Sequence, residues 1–156
     1  MIYIVRHGQT DYNLEKRITG RIDVPLNETG KMEAMRLQKE LEGISFDYVF
    51  VSPLSRALET ARIITNQEMI IDERLIERSN GLIEGNYVKD LEGFDYTSHD
   101  YQLEPIKMVR KRINSFLEEI TDKYSNKNIL IVTHGGVIIN IRYYFEGEPK
   151  GNYDDL

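Results

Sequence analysis

Two histidines, two arginines and a glycine pair are spaced along this chain so that they could gather around one anion. Arg6-His7-Gly8 follows the sheet-forming run Ile2-Tyr3-Ile4-Val5, and Thr133-His134-Gly135-Gly136 follows Ile129-Leu130-Ile131-Val132. A third such segment, 46–52, ends in Ser52-Pro53, with Arg56 in the turn that follows. Guanidinium groups present a planar fork of donors that suits a dianion such as a phosphoryl group. A helix starting at Gly135-Gly136 adds backbone N–H groups and the positive end of its dipole. There is no cysteine, and no serine is placed beside a base, so a histidine is the natural candidate nucleophile. A zinc site is not expected, because His7 and His134 lack a third ligand at recognisable spacing.

These groups meet only if the elements before them lie side by side. Segments 2–5, 46–52, 68–72 and 128–134 read as strands, the first and last as buried ones; the 129–132 run has no polar alternation, as in strands covered on both faces. Between them, Asn27 caps an expected helix from Gly30 to Leu41, with Ala34, Leu37 and Leu41 on one face. Further helices are expected over 55–65, over 103–124 with Val109, Ile113, Phe116, Leu117 and Ile120 at helical spacing, and over 136–144. Strands alternating with helices predict a three-layer α/β/α sandwich, a mainly parallel sheet with helices on both faces. Ligands bind outside the carboxyl ends of such strands, which is where Arg6-His7, Ser52-Pro53 and Thr133-His134 fall.

The 156 residues, 40% apolar and 29% charged, fit a single globular domain over 1–156 with one core. A net charge of −6 gives the surface as a whole no attraction for nucleic acid or anionic lipid, so a bound anion must be held by a local cluster of donors. No signal peptide or membrane-length apolar run is visible, and a cytoplasmic location without membrane contact is expected.

The motifs taken together resemble the histidine phosphatase superfamily, in the branch of phosphoglycerate mutases and small-molecule phosphatases. "RHGQTDYN" matches its opening Arg-His-Gly-x-Thr-x-x-Asn, and "ITGRIDVPLNETGKMEA" its next stretch. "VSPLSRALETA", "LIERSNGLIEG" and "VTHGG" then follow in the family's order. The resemblance implies a phosphomonoesterase that needs no metal or other cofactor and acts on a small phosphorylated metabolite. It implies that His7 is phosphorylated during turnover and that Arg6, Arg56 and His134 surround the phosphoryl oxygens. Asn13, the Gly135 N–H and the Thr19-Gly20 pair would assist binding, and Glu77 would donate the proton to the leaving oxygen. Glu73 and Glu84 are rival acids, of which Glu84 is expected to pin a loop.

The chain departs from the family between Glu77 and His134, where mutases carry a larger basic insertion. Residues 79–106 hold Glu84, Asp90, Glu92, Asp95, Asp100 and Glu104 against the single base Lys89, a lid that would repel a bisphosphorylated sugar acid. Tyr87, Phe94, Tyr96 and Tyr101 offer an aromatic wall, and His99 reads as surface. The family's Gly-Gly-Glu-Ser stands as Gln102-Leu103-Glu104-Pro105, and the Asn that mutases place two residues after the second histidine is Gly136. No counterpart of the family's last strand is legible before Leu156. Phosphoglycerate mutase, protein phosphatase and non-catalytic phospho-ligand binder are the competing readings.

Overall fold

The computed structural model describes residues 1–148. Its strands are β1 (Ile2–Arg6), β2 (Tyr48–Val51), β3 (Ile70–Ile71) and β4 (Ile129–Thr133). Its helices are α1 (Asp11–Leu14), α2 (Glu28–Glu40), α3 (Ser55–Ile64), α4 (Ile106–Lys123) and α5 (Gly135–Glu146). The strands form a parallel sheet in the order β1-β4-β2-β3. Residues 149–156, on which the expectation about a last strand falls, lie outside the described residues. Among those described, no helix is long and apolar enough to cross a membrane.

β4 divides the core. All five of its residues are buried, as its unbroken apolar run predicts. Ile129 and Ile131 join the cluster built with α4 and α5, whereas Leu130 and Val132 join the one built with α2 and α3. Helices therefore cover both faces, and the three-layer α/β/α architecture holds. The five α4 residues expected on one face are all buried, at about 1.5–3 kcal/mol for each large side chain. Asn27 caps α2 through its side chain, which accepts from Gly30 N at 2.9 Å, and the helix begins two residues earlier than the spacing suggested.

β1 does not follow the expectation of a buried strand. Among the described residues its one strand neighbour is β4, and Ile4 is 37% exposed. Its composition matches that of β4; its place in the strand order does not. Residues 79–105 form the lid and contain no α-helix, only short turns at Gly81–Ile83 and Val88–Leu91.

Candidate active site

The strand register sets the site. Arg6 lies opposite Thr133 and Val51 opposite Val132, so the residues that follow, His7, His134 and Ser52, share one edge of the sheet. Backbone pairing continues past the strands, from His7 N to Thr133 O (3.0 Å) and from Ser52 N to Val132 O (3.1 Å). The two imidazole centroids are 5.1 Å apart. His7 Nδ1 lies 2.7 Å from Gly8 O. A carbonyl only accepts, so Nδ1 carries the proton and the lone pair of the neutral ring is on Nε2. Burial, then the charges of Arg56 and Arg6, outweigh that bond and lower the His7 pKa to about 4, so the ring is neutral at pH 7. Gly8 and Gly30 pack backbone to backbone, and a Cβ on either would collide with the other segment.

His134 is fully buried, and burial together with the nearby Arg56 lowers its pKa to about 2. Its Nε2 lies 2.6 Å from Ser52 Oγ, while Nδ1 is buried without a partner. A serine therefore does stand beside a base, 82 residues away in sequence, which corrects the reading from local spacing. Ser52 is itself completely buried and also receives a long hydrogen bond from Leu54 N, so it supports the ring from behind.

Arg56, in the first turn of α3, is only 1% exposed. Nη1 donates to Ile22 O (2.9 Å) and Nη2 to Gly20 O (2.7 Å), leaving Nε buried and unpaired. Burial lowers its pKa, opposed by the charges of Glu77, Asp23 and Glu84. Gly20, at φ +50°, thus meets the site through its carbonyl, and a Cβ there would collide with the Glu84 carboxylate. Glu84 Oε1 accepts from Arg21 N (3.0 Å) and Asn80 N (2.9 Å), and so pins two loops together. Thr19, beside Gly20, is half-buried and accepts from Ile22 N through its carbonyl. Arg6 is exposed at the end of β1, its Nε 3.6 Å from where a Cβ of Gly135 would lie. Asn13 caps α1 reciprocally with Thr10, its Oδ1 accepting from Thr10 N and Thr10 Oγ1.

Glu77 closes the cluster from the lid side. Its Oε1 accepts from Arg78 N (2.9 Å) and its Oε2 from Gly136 N (3.3 Å), in the first turn of α5. A Cβ at position 136 would stand 2.5 Å from Glu77 Oε1, so any side chain there would displace the carboxylate. Glu73, the rival acid, is exposed. Beyond Gly136 opens a cavity of 550 Å³ reached by Phe94 and Tyr96 of the lid. Tyr101 packs edge-on against Phe94, and Tyr87 turns away to the Arg17 guanidinium. His99 is on the surface.

The sequence model of the Histidine phosphatase superfamily (branch 1) matches residues 2–156. The chain belongs to this superfamily. It is 33% identical to Phosphoglycerate mutase-like protein 4 of Arabidopsis thaliana, over 88% of this chain and 67% of that protein. It is also 33% identical to the uncharacterized phosphatase PhoE of Bacillus subtilis (strain 168), over 88% of this chain and 72% of that one. Bacillus stearothermophilus YhfR superposes with a TM-score of 0.85 at 33% identity, covering 95% of this chain and 80% of YhfR. The alpha-ribazole phosphatase of Shigella flexneri superposes at 0.84 and 27% identity, again covering 95% and 80%.

Within this histidine phosphatase, three supporting residues escaped the sequence reading. Ser52 is one. Thr60 is another: its Oγ1 accepts from Gly8 N (3.0 Å) and donates to Arg56 O (2.7 Å), clamping β1 to α3. The third is Glu104, whose carboxylate receives Arg112, Arg21 Nη2 (3.1 Å) and Ser79 N (3.2 Å). Arg21 Nε in turn donates to Glu77 O (3.1 Å). Burial works to raise the Glu104 carboxyl, but its donors, Arg112 foremost, hold it below the ordinary carboxylate range. The signal for all three was their place inside motifs or at a motif's edge; their partners are distant in sequence.

Proposed function

We propose that this chain hydrolyses a small phosphomonoester through a phosphohistidine on His7. The observation that carries this reading is the pairing of a neutral His7, its Nε2 lone pair set by the Gly8 bond, with two buried nitrogens lacking protein partners, Arg56 Nε and His134 Nδ1. An unpaired buried polar group costs about 1–3 kcal/mol, and an anion beside His7 would relieve both. With the Ser52 hydroxyl donating to His134 Nε2, the proton of the neutral His134 ring sits on Nδ1 and is available to a phosphoryl oxygen. The Arg56 fork, fixed by two carbonyls, needs no reorganisation as charge develops on the equatorial oxygens. In the first step the Nε2–P bond forms as the P–O ester bond breaks, and Glu77 delivers its proton to the departing alkoxide. In the second, water attacks phosphorus, Glu77 takes the water's proton, and His7 leaves as the neutral imidazole. Arg6, the Gly135 N–H and Asn13 would complete the shell around the phosphoryl group, with Thr19 and Gly20 supporting it. The lid's acidic surface, including exposed Asp90, Glu92, Asp95 and Asp100, weighs against a bisphosphorylated substrate.

Rapid quenching in alkaline detergent after mixing with phosphoryl-labelled p-nitrophenyl phosphate tests the intermediate. The expected label is labile to acid, stable to base and absent in His7→Ala. Label on a serine, Ser52 above all, or label surviving in His7→Ala, would overturn the assignment.

A further inference from the structure

The 550 Å³ cavity beyond Glu77 lies within the size range of small-molecule sites and opens next to the atom that would receive the proton. Gly136 belongs to both places, lining the cavity and donating to Glu77 Oε2. Through Gly136, an ester attacked by His7 would extend its leaving group toward this cavity. Phe94 and Tyr96 form one wall, Ile106 and Val109 of α4 a second, and Ile139 of α5 a third.

Most polar atoms of the lining that the structure pairs are engaged with the protein itself. Arg78 Nε donates to Glu104 O (2.8 Å) and Nη2 to Tyr96 O (2.9 Å), so its fork is not presented as a pair. Thr97 Oγ1 donates to Asp95 Oδ1 (2.6 Å). Asn140 Nδ2 donates to Gly136 O (2.8 Å), while its Oδ1 is buried without a hydrogen-bond partner. A leaving group rich in hydroxyls or bearing a carboxylate would shed its water and find few partners in return, whereas an apolar body loses nothing polar on entry.

We infer that this pocket selects monophosphate esters of alcohols with an apolar, ring-bearing body and no second anionic group. The selection rests on the phosphatase reading above and assigns its substrate class. Phe94, held edge-on by Tyr96 (5.0 Å) and Tyr101 (4.9 Å), and Ile139, 42% exposed on α5, are the specificity-determining side chains.

The test compares three alkyl esters: 3-phenylpropyl phosphate, glycerol 3-phosphate and 3-phosphoglycerate. The expected kcat/KM for the phenylpropyl ester exceeds the other two by about 10-fold or more, the discrimination one or more buried methylene-sized contacts supply. Ile139→Ser, on an exposed helix face where folding is little perturbed, and Phe94→Ser should each shrink that ratio by about 10-fold. Equal or better turnover of glycerol 3-phosphate or 3-phosphoglycerate overturns the inference. Binding of 3-phenylpropylphosphonate against ethylphosphonate reads the pocket without chemistry. Tighter binding of the ring-bearing compound by about 10-fold supports it, and equal binding overturns it. Preference in binding with no ester hydrolysed would leave the pocket standing and remove the phosphatase reading.

Discussion

The two halves of this site are built on different supports. At the strand ends, Arg56 and His134 are buried with nitrogens left unpaired, Arg56 Nε and His134 Nδ1. In the cavity under the lid, Arg78 and Thr97 bond within the protein, and Asn140 of α5 donates to Gly136 O while its Oδ1 is left unpaired. The strand-end half sits on β1, β4 and the start of α3, where backbone carbonyls hold His7 and Arg56 and the Ser52 hydroxyl holds His134. Its unpaired groups are tolerated because the surrounding core is already fixed. The lid half comes from residues 79–105, which have no α-helix and hold their shape through side chain to backbone bonds. Rigid scaffolding thus permits a half that binds charge, and a self-bonded loop produces a half that favours apolar matter.

Glu77 stands between the two halves, and changing it should give the largest effect. In Glu77→Gln, turnover of an alkyl phosphate is expected to fall by about 10²- to 10⁴-fold, because an alkoxide leaves poorly without a proton. With p-nitrophenyl phosphate, formation of the phosphoenzyme should suffer far less while its hydrolysis slows. The trace would be a burst of nitrophenolate followed by a slow steady state. Equal losses for both esters would place Glu77 in the architecture and remove it from the proton path.

Substitutions in the strand-end half should act on every substrate alike, since the phosphoryl group is common to all. Arg56→Ala and His134→Ala are each expected to lower kcat by about 10²- to 10³-fold, the usual loss of one preorganised donor. Arg56→Lys should not restore the rate, because one ammonium cannot reach both Gly20 O and Ile22 O as the fork does. A change confined to KM, or one that depends on the leaving group, would blur the division between the halves.

Ser52→Ala probes the same half from behind. Loss of one hydrogen bond to His134 should lower kcat by about 10-fold, near 1.4 kcal/mol, without altering the ratio between leaving groups. No change in kcat would mean that Ser52 does not set the His134 tautomer.

The smallest effect is on stability against pH. The folded His7 and His134 have pKa values of about 4 and about 2, below the 6.5 of an unfolded imidazole. Above pH 6.5 both states carry neutral rings. As pH falls below 6.5, the unfolded chain takes up protons that the folded rings refuse, and stability declines, down to about pH 4 for His7 and lower for His134. Urea midpoints measured from pH 7 to pH 4.5 should fall, and His7→Gln should flatten that slope. An unchanged slope would mean that His7 is not held neutral by the fold.

The sequence alone determined the elements and the residue types that the site requires. The unbroken apolar run of β4, the helical spacing in α4 and the Asn27 cap are local patterns, and local patterns of period and capping are legible without a partner. His7, His134 and Arg56 were legible as candidates because each ends or begins such an element, whereas Glu77 came only from the resemblance to the family's motif. Tertiary structure decided the rest. β1 and β4 have similar compositions, yet among the described residues the strand order left β1 with one strand neighbour and Ile4 exposed, and made β4 the buried axis of the core. The Ser52–His134 contact joins residues 82 apart, and Thr60 reaches Gly8 across 52. Nothing in the spelling of Arg78 or Thr97 announces that their side chains bond within the protein. Hydrogen-bond partners across the fold depend on which strands adjoin and how the loops return, and those choices are made by burial of the whole chain, not by any one stretch of it.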